Sequence, residues 1–151
     1  AYQQEIKEEF IAKRIHEIKA GGAVAAVSLT PMNTKKMAPL IQEAGADIIV
    51  CHLGLTTGGS IGAETALKLA DCPALVEAWS EAALKVNPDV IILAHGGPVA
   101  MPADAEFILN NTSNCHGFYG ASSMERLPTE IALTEQTRMF KRIARRGRGG
   151  Q

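Results

Sequence analysis

The sequence predicts an α/β fold of parallel βα repeats, and three observations predict it. Apolar runs and helical stretches alternate along the whole chain. The apolar runs are continuous, as strands of a covered parallel sheet are, rather than alternating apolar with polar. Three of those runs stop on small, polar or glycine residues, in "VCHLGLTTGGS", "ILAHGGPVAMP" and "FYGASSMERLP", and helical sequence follows each. Such alternation gives parallel strands joined by right-handed crossovers. Four units make half of a (β/α)8 barrel or a small open doubly wound sheet, and periodicity does not choose between them.

The elements follow in order. "EIKEEFIAKRIHEIKAGG" sets Ile6, Phe10, Ile11, Ile15 and Ile18 on one side at helical spacing, and Gly21 and Gly22 stop the helix. His16 falls on its other, solvated face. "AVAAVSLT" is a strand ended by Pro31. "NTKKMAPLIQEAG" is a helix with Asn33 or Thr34 as N-cap and Gly45 as stop; Pro39 inside it demands a late start or a bend. "ADIIVCHLG" is the second strand. A Gly/Thr-rich loop leads to "DCPALVEAWSEAALKVN", a helix with Pro73 near its first turn. "PDVIILAHGG" is the third strand, and a helix starts near Pro102. "CHGFYGASS" holds a fourth strand, shorter and more aromatic, before "LPTEIALTEQTRMFKRIARR", a helix opened by Pro128. The expected domain is residues 1–143, and the basic, glycine-rich tail 144–151 is expected to be disordered.

A chain of 151 residues buries one sizeable core and not two. Hydrophobic residues at 46% and charged residues at 21% are the balance of a globular protein. A net charge of −1 offers nothing to nucleic acid or to an acidic membrane surface. No apolar run approaches the roughly 20 residues that span a bilayer, and no signal-peptide pattern opens the sequence. Cys51, Cys72 and Cys115 are odd in number and lack CxxC spacing, so a reducing cytoplasm is expected and a disulfide framework is not. Cys51, inside an apolar run, reads as a small buried hydrophobe.

In either architecture chemistry belongs at the carboxyl ends of the strands, where the loops converge. The second strand delivers His52 and the loop containing Thr56, Thr57, Gly58, Gly59 and Ser60. The third delivers His95, Gly96 and Gly97; the fourth delivers Gly120, Ala121, Ser122 and Ser123, with Glu125 and Arg126 beyond. Glycines there let backbone N–H groups face inward, and a helix N-terminus behind them makes an anion site. The expected ligand is a small phosphorylated or carboxylated metabolite, held by the amides of Gly96, Gly97, Ala121 and Ser122 and the hydroxyls of Ser122 and Ser123. His52 and His95 are the candidates for proton transfer, since an imidazole titrates near neutrality. As a metal pair they lack a nearby Asp or Glu on their strands. Glu125 and Arg126 either grip a carboxylate or pair with each other. "YGASS" is not G-x-S-x-G, so Ser122 is no acyl nucleophile. His116, at the opposite end of the fourth strand, is structural.

Three longer blocks, "ADIIVCHLGLTTGGSIGA", "NPDVIILAHGGPVAMPADAEFIL" and "HGFYGASSMERLPTEIALTEQTR", resemble the C-terminal half of the phosphoenolpyruvate hydrolase-like TIM-barrel family. Members of that family are also described as TIM-barrel signal-transduction proteins. The likeness, from about Phe10 to about Ile143, extends to the C-terminal domain of plant proteins that confer resistance to tobamoviruses. The resemblance implies half of a (β/α)8 barrel and chemistry on phosphoenolpyruvate-like or 2-oxo acid anions. It carries over His52 with Thr56 to Ser60, His95 to Pro98, and Gly120 to Arg126. It also implies Mg²⁺, whose carboxylate ligands belong to earlier strands outside this chain. "VSLTPMNTKKMAPL", with Pro39, departs from the family's pattern.

Two functions are expected from this reading. One is a phosphoenolpyruvate hydrolase-like enzyme with His95 as general acid or base and His52 assisting. The other is a non-catalytic metabolite-binding, signalling or assembly module with the same anion pocket. A half-barrel leaves two sheet edges and an open core, so a homo-oligomer or a complementary half-barrel chain is expected as partner.

Overall fold

A computed structural model describes residues 7–30, 33–54 and 67–143. Pro31, the loop residues Thr56, Thr57, Gly58, Gly59 and Ser60, and the tail 144–151 lie outside the described residues. In chain order the elements are α1 (Glu8–Ala20), β1 (Ala26–Leu29), α2 (Thr34–Glu43), β2 (Ile48–His52), α3 (Cys72–Leu84), β3 (Ile91–His95), α4 (Pro102–Asn110), β4 (Gly117–Tyr119) and α5 (Arg126–Lys141). A single 3-10 turn, Leu69–Asp71, precedes α3.

The helix ends follow local chemistry. At α1 and α2 a glycine in the left-handed region, Gly22 at φ 76° and Gly45 at φ 86°, ends the helix. In each case two back-bonds close a Schellman motif: Gly22 N–H to Lys19 with Ala23 N–H to Ile18, and Gly45 N–H to Gln42 with Ala46 N–H to Ile41. Asn33 is the N-cap residue of α2 but makes no side-chain cap bond; the Thr34 hydroxyl donates back to the Thr30 carbonyl instead. The helix runs through Pro39, which removes the intrahelical bond to the Lys35 carbonyl; Lys35 is an exposed residue, in the part of the helix that water reaches. Asp104 accepts from the amides of Ala100 and Met101, which fixes the entry to α4.

The four strands pair in the order β1-β2-β3-β4, every neighbour parallel. A doubly wound sheet reverses its strand order at a switch point. Sequential order with right-handed crossovers puts successive helices on one side of the sheet, which is the winding of a (β/α)8 barrel. The chain is therefore a half-barrel of parallel βα units.

The register sorts side chains into two faces. Ile49, Cys51 and Ile92, each 0% exposed, point to the helix layer. They share one core with Ile15 of α1, Ile41 of α2, Val76 and Trp79 of α3 and Ile108 of α4. A fully buried side chain of this size stabilises by about 1.5–3 kcal/mol. The other face carries Ala26 and Ser28, Ile48 and Val50, Ile91 and Leu93, and Gly117 in matched rows. Continuous apolar strands predict cover on both faces, but among the described residues the second face is covered only in part: Val50 is buried at 6%, while Ile91 is 44% exposed.

Both flanking helices depart from expectation in the same sense. On α1 only Ile15 is fully buried; Ile11 packs against the core, whereas Phe10 and Ile18 are exposed because the apolar stripe is wider than the contact with α2. Helix α5 contains no buried residue, and Leu133, Met139 and Phe140 are all exposed. Its support is local: strong helix formers, and Arg126 paired with Glu130 one turn on. At the other end Lys19 and the Ala25 amide hold the Asp47 carboxyl below its usual range, tying α1 to the foot of β2.

Candidate active site at the strand ends

The last residues of β2, β3 and β4 are His52, His95 and Tyr119, and they stand in register across the sheet on its open face. The rings of His52 and His95 lie edge to face with centroids 4.6 Å apart, and those of His95 and Tyr119 follow at 5.1 Å. Equal positions on adjacent parallel strands bring their side chains together, so the row is a direct product of register.

His95 Nδ1 lies 2.6 Å from the Tyr119 carbonyl oxygen. A carbonyl has no proton to give, so Nδ1 carries the hydrogen and donates it. That fixes the tautomer of the neutral ring and leaves the Nε2 lone pair available. His52 differs. Its Nδ1 is buried and has no hydrogen-bond partner among the described residues. Burial first, and then the neighbouring His95, push its pKa below the usual imidazole range, so His52 is neutral at pH 7.

The glycines after β3 are held by close backbone approach. Gly96 and Gly97 have φ 68° and 61°, and a Cβ on Gly97 would stand 2.4 Å from the Leu53 carbonyl oxygen. Leu53 N–H in turn donates to the His95 carbonyl at 2.8 Å. The exit of β3 is thereby fastened to the exit of β2. Next to it, Gly120, Ala121, Ser122 and Ser123 form the turn from β4 into α5. Its carbonyls are used, Ala121 accepting from Met124 and Glu125, and Ser122 from Leu127. The amides of Gly96, Gly97, Gly120, Ala121, Ser122 and Ser123 donate to no backbone carbonyl among the described residues.

The candidates read from sequence thus divide. His52, His95, Gly96 and Gly97 come together, with Gly120 following directly on Tyr119 in the adjacent strand. Arg126 reaches along α5 to Glu130 at 2.6 Å, because the i,i+4 geometry of a helix offers that carboxylate. Tyr119 was absent from the expected site. The signal that finds it is the alignment of the strand ends "VCH", "LAH" and "GFY" by position rather than by residue type. His116 is structural, its Nδ1 accepting from the Ile92 amide at 3.0 Å. Cys51 is inert, its thiol pushed by burial up to about 12.

A depression of about 520 Å³ on α1, lined by Glu9, Ala12, Lys13, His16, Glu17 and Ala20, is an open flank of the outer helix layer and includes none of the strand-end residues. No cluster of three His, Cys, Asp or Glu suited to a metal ion occurs among the described residues. The donors at the mouth are imidazoles, whereas Mg²⁺ takes oxygen ligands, so these residues do not fit Mg²⁺.

Sequential parallel βα units, with a row of His52, His95 and Tyr119 at the strand exits, define a protein of the βα-barrel class. The chain belongs to the phosphoenolpyruvate hydrolase-like family, whose sequence profile matches residues 7–143. It is 54% identical over 102 residues to the ToMV susceptible protein tm-1(GCR26) of Solanum lycopersicum, and 53% identical over 102 residues to the ToMV resistance protein Tm-1(GCR237) of the same plant. Each match covers 68% of this chain and 14% of the relative, so the matched region is a small part of those proteins. Among solved structures, an IMP dehydrogenase/GMP reductase-like protein from Corynebacterium glutamicum aligns over 77% of this chain and 26% of its own, at 21% identity and a TM-score of 0.47. No helix among the described residues is long and apolar enough to cross a membrane.

Proposed function

We propose that the strand exits form one side of a site that hydrolyses a small phosphorylated anion of the phosphoenolpyruvate type. The observation that carries this reading is the in-register row of His52, His95 and Tyr119, with the His95 tautomer set by a backbone carbonyl. The phosphate would sit against the amides of Gly96, Gly97, Ala121 and Ser122, with the Ser122 and Ser123 hydroxyls beside them. His95, through Nε2, takes a proton as water attacks phosphorus. The bond from phosphorus to the enol oxygen breaks, and the departing enolate regains a proton at carbon to give the 2-oxo acid. Neutral His52 donates or accepts a hydrogen bond without bringing a second positive charge. Any Mg²⁺ would be held by carboxylates outside this chain, and no step above runs through it.

The open sheet face and the exposed edges β1 and β4 support a second half in the working assembly, either another copy or a complementary half-barrel chain. The test is phosphate release from phosphoenolpyruvate by the assembled barrel, with loss of release in His95→Ala. No turnover by the assembled wild type ends the enzyme reading. Thermal stabilisation by phosphoenolpyruvate without product would instead mark a binding module.

A further inference from the structure

The core leaves helix α5 unused. The helix has no buried residue, and Leu133, Met139, Phe140 and the Ile143 that follows it are each more than half exposed. A helix of this length without tertiary support is marginal in water, so packing on its apolar side would stabilise it. The residue pattern on that side specifies what packs there. Thr129, Ala132, Gln136, Met139 and Ile143 follow one another at alternating steps of three and four, the spacing of a seam between two helices. Leu133 and Phe140 border the seam on one flank, Glu135 and Arg142 on the other. Neither Glu135 nor Arg142 has an ion pair among the described residues.

We propose that α5 pairs antiparallel with α5 of a second copy of this chain. The two-fold axis passes between Thr137 and Arg138. In that register Glu135 meets Arg142 of the second copy, Leu133 meets its Phe140, and Ala132 meets its Ile143, and the symmetry makes each contact twice. A parallel pair would set Glu135 against Phe140 instead and leave both charges unmatched, so the flanks select the antiparallel direction. One helix thus carries both halves of the contact, in charge and in shape. Helices this short bury less than the ~1,200 Å² of a standard interface, so the pair is weak and forms as concentration rises. It uses neither the sheet edges nor a substrate, and it stands or falls separately from the hydrolysis proposal.

The experiment is sedimentation velocity of the chain alone from about 5 to about 500 μM, where the mass should climb from one chain towards two. Phe140→Ser should abolish the rise, while unfolding of the dilute chain stays unchanged because Phe140 is exposed in the single chain. Glu135→Arg and Arg142→Glu should each raise the concentration of half-association by about fivefold, since each loses two ion pairs and sets like charges together. The double variant Glu135→Arg/Arg142→Glu, and an equimolar mixture of the two single variants, should both regain wild-type association. A single-chain mass across the whole range, which would leave α5 to a different chain, overturns the proposal. Association that survives Phe140→Ser, as pairing through the sheet edges would, or a double variant no better than the single ones, overturns it too.

Discussion

The two faces of the sheet are made of similar residues and meet different fates. On β3, Ile92 points to the helices and is 0% exposed, while its neighbour Ile91 points the other way and is 44% exposed. The helix face is closed by one core that reaches from α1 to α4. The open face is less covered among the described residues, with Val50 alone of its strand positions buried, and it ends in His52, His95 and Tyr119 at the strand exits. The difference teaches that the packed core and the candidate site occupy opposite sides of this sheet. The covered side holds the strands in register; the register, on the other side, aligns the row.

Substitutions on paired positions break or sharpen that contrast. Ile92→Ala should lower unfolding free energy by about 2–5 kcal/mol in urea denaturation, because it removes buried methyl groups and leaves a cavity. Ile91→Ala should change it by less than about 1 kcal/mol in the same assay. Equal losses would erase the distinction between the faces. Gly97→Ala comes next, at about 1–3 kcal/mol, since a side chain there needs both a left-handed backbone and space that the Leu53 carbonyl fills. Gly120→Ala should be milder, because its φ lies outside the left-handed region and what it would meet are the side chains of Met124, Ser123 and Phe118 rather than backbone; thermal melts of the two variants rank them.

The effect of pH is smaller and has a definite sign. His52 has a folded pKa below its unfolded one, so the unfolded chain binds the extra proton first. Its contribution is fully present above the unfolded imidazole pKa, and it is lost as the pH falls from there through the folded value. Stability should therefore decline on acidification below about pH 6.5. In His52→Gln that part of the decline should vanish, which unfolding curves at several pH values will reveal. Smallest of all, Phe140→Ser on the unburied face of α5 should shift stability by no more than about 0.5 kcal/mol. A large loss would mean that α5 is held by contacts which its exposure does not suggest.

Much of the fold was legible because local signals agreed with it. Gly22 and Gly45 end helices where the sequence places stops, Pro102 opens α4, and four apolar runs become four parallel strands. Pro39 was less legible, since whether a helix tolerates a proline depends on hydration of the carbonyl it strands. The exposure of Ile91, Phe10 and Ile18 could not be read at all: hydrophobicity records what a side chain would prefer to meet, not whether a neighbour is there. At the site, His52 and His95 were visible as residue types at strand ends. Their contact needed the register, and Tyr119 needed it more, because half of its part is played by a backbone carbonyl that every residue possesses. The bond from Arg126 to Glu130 is one that helical spacing offers, whereas the sequence reading weighs only a bound carboxylate or Glu125 as its partner.

The central claim is that the exits of β2, β3 and β4 form a common seat for a small anion. Amide NMR of the ¹⁵N-labelled chain, titrated with inorganic phosphate and then with phosphoenolpyruvate, tests it most directly. The account predicts saturable shifts at Gly96, Gly97, Gly120, Ala121, Ser122 and Ser123, with the His52 and His95 ring signals moving in step. Shifts confined to the flank of α1, or none at these positions up to saturating ligand, would contradict it.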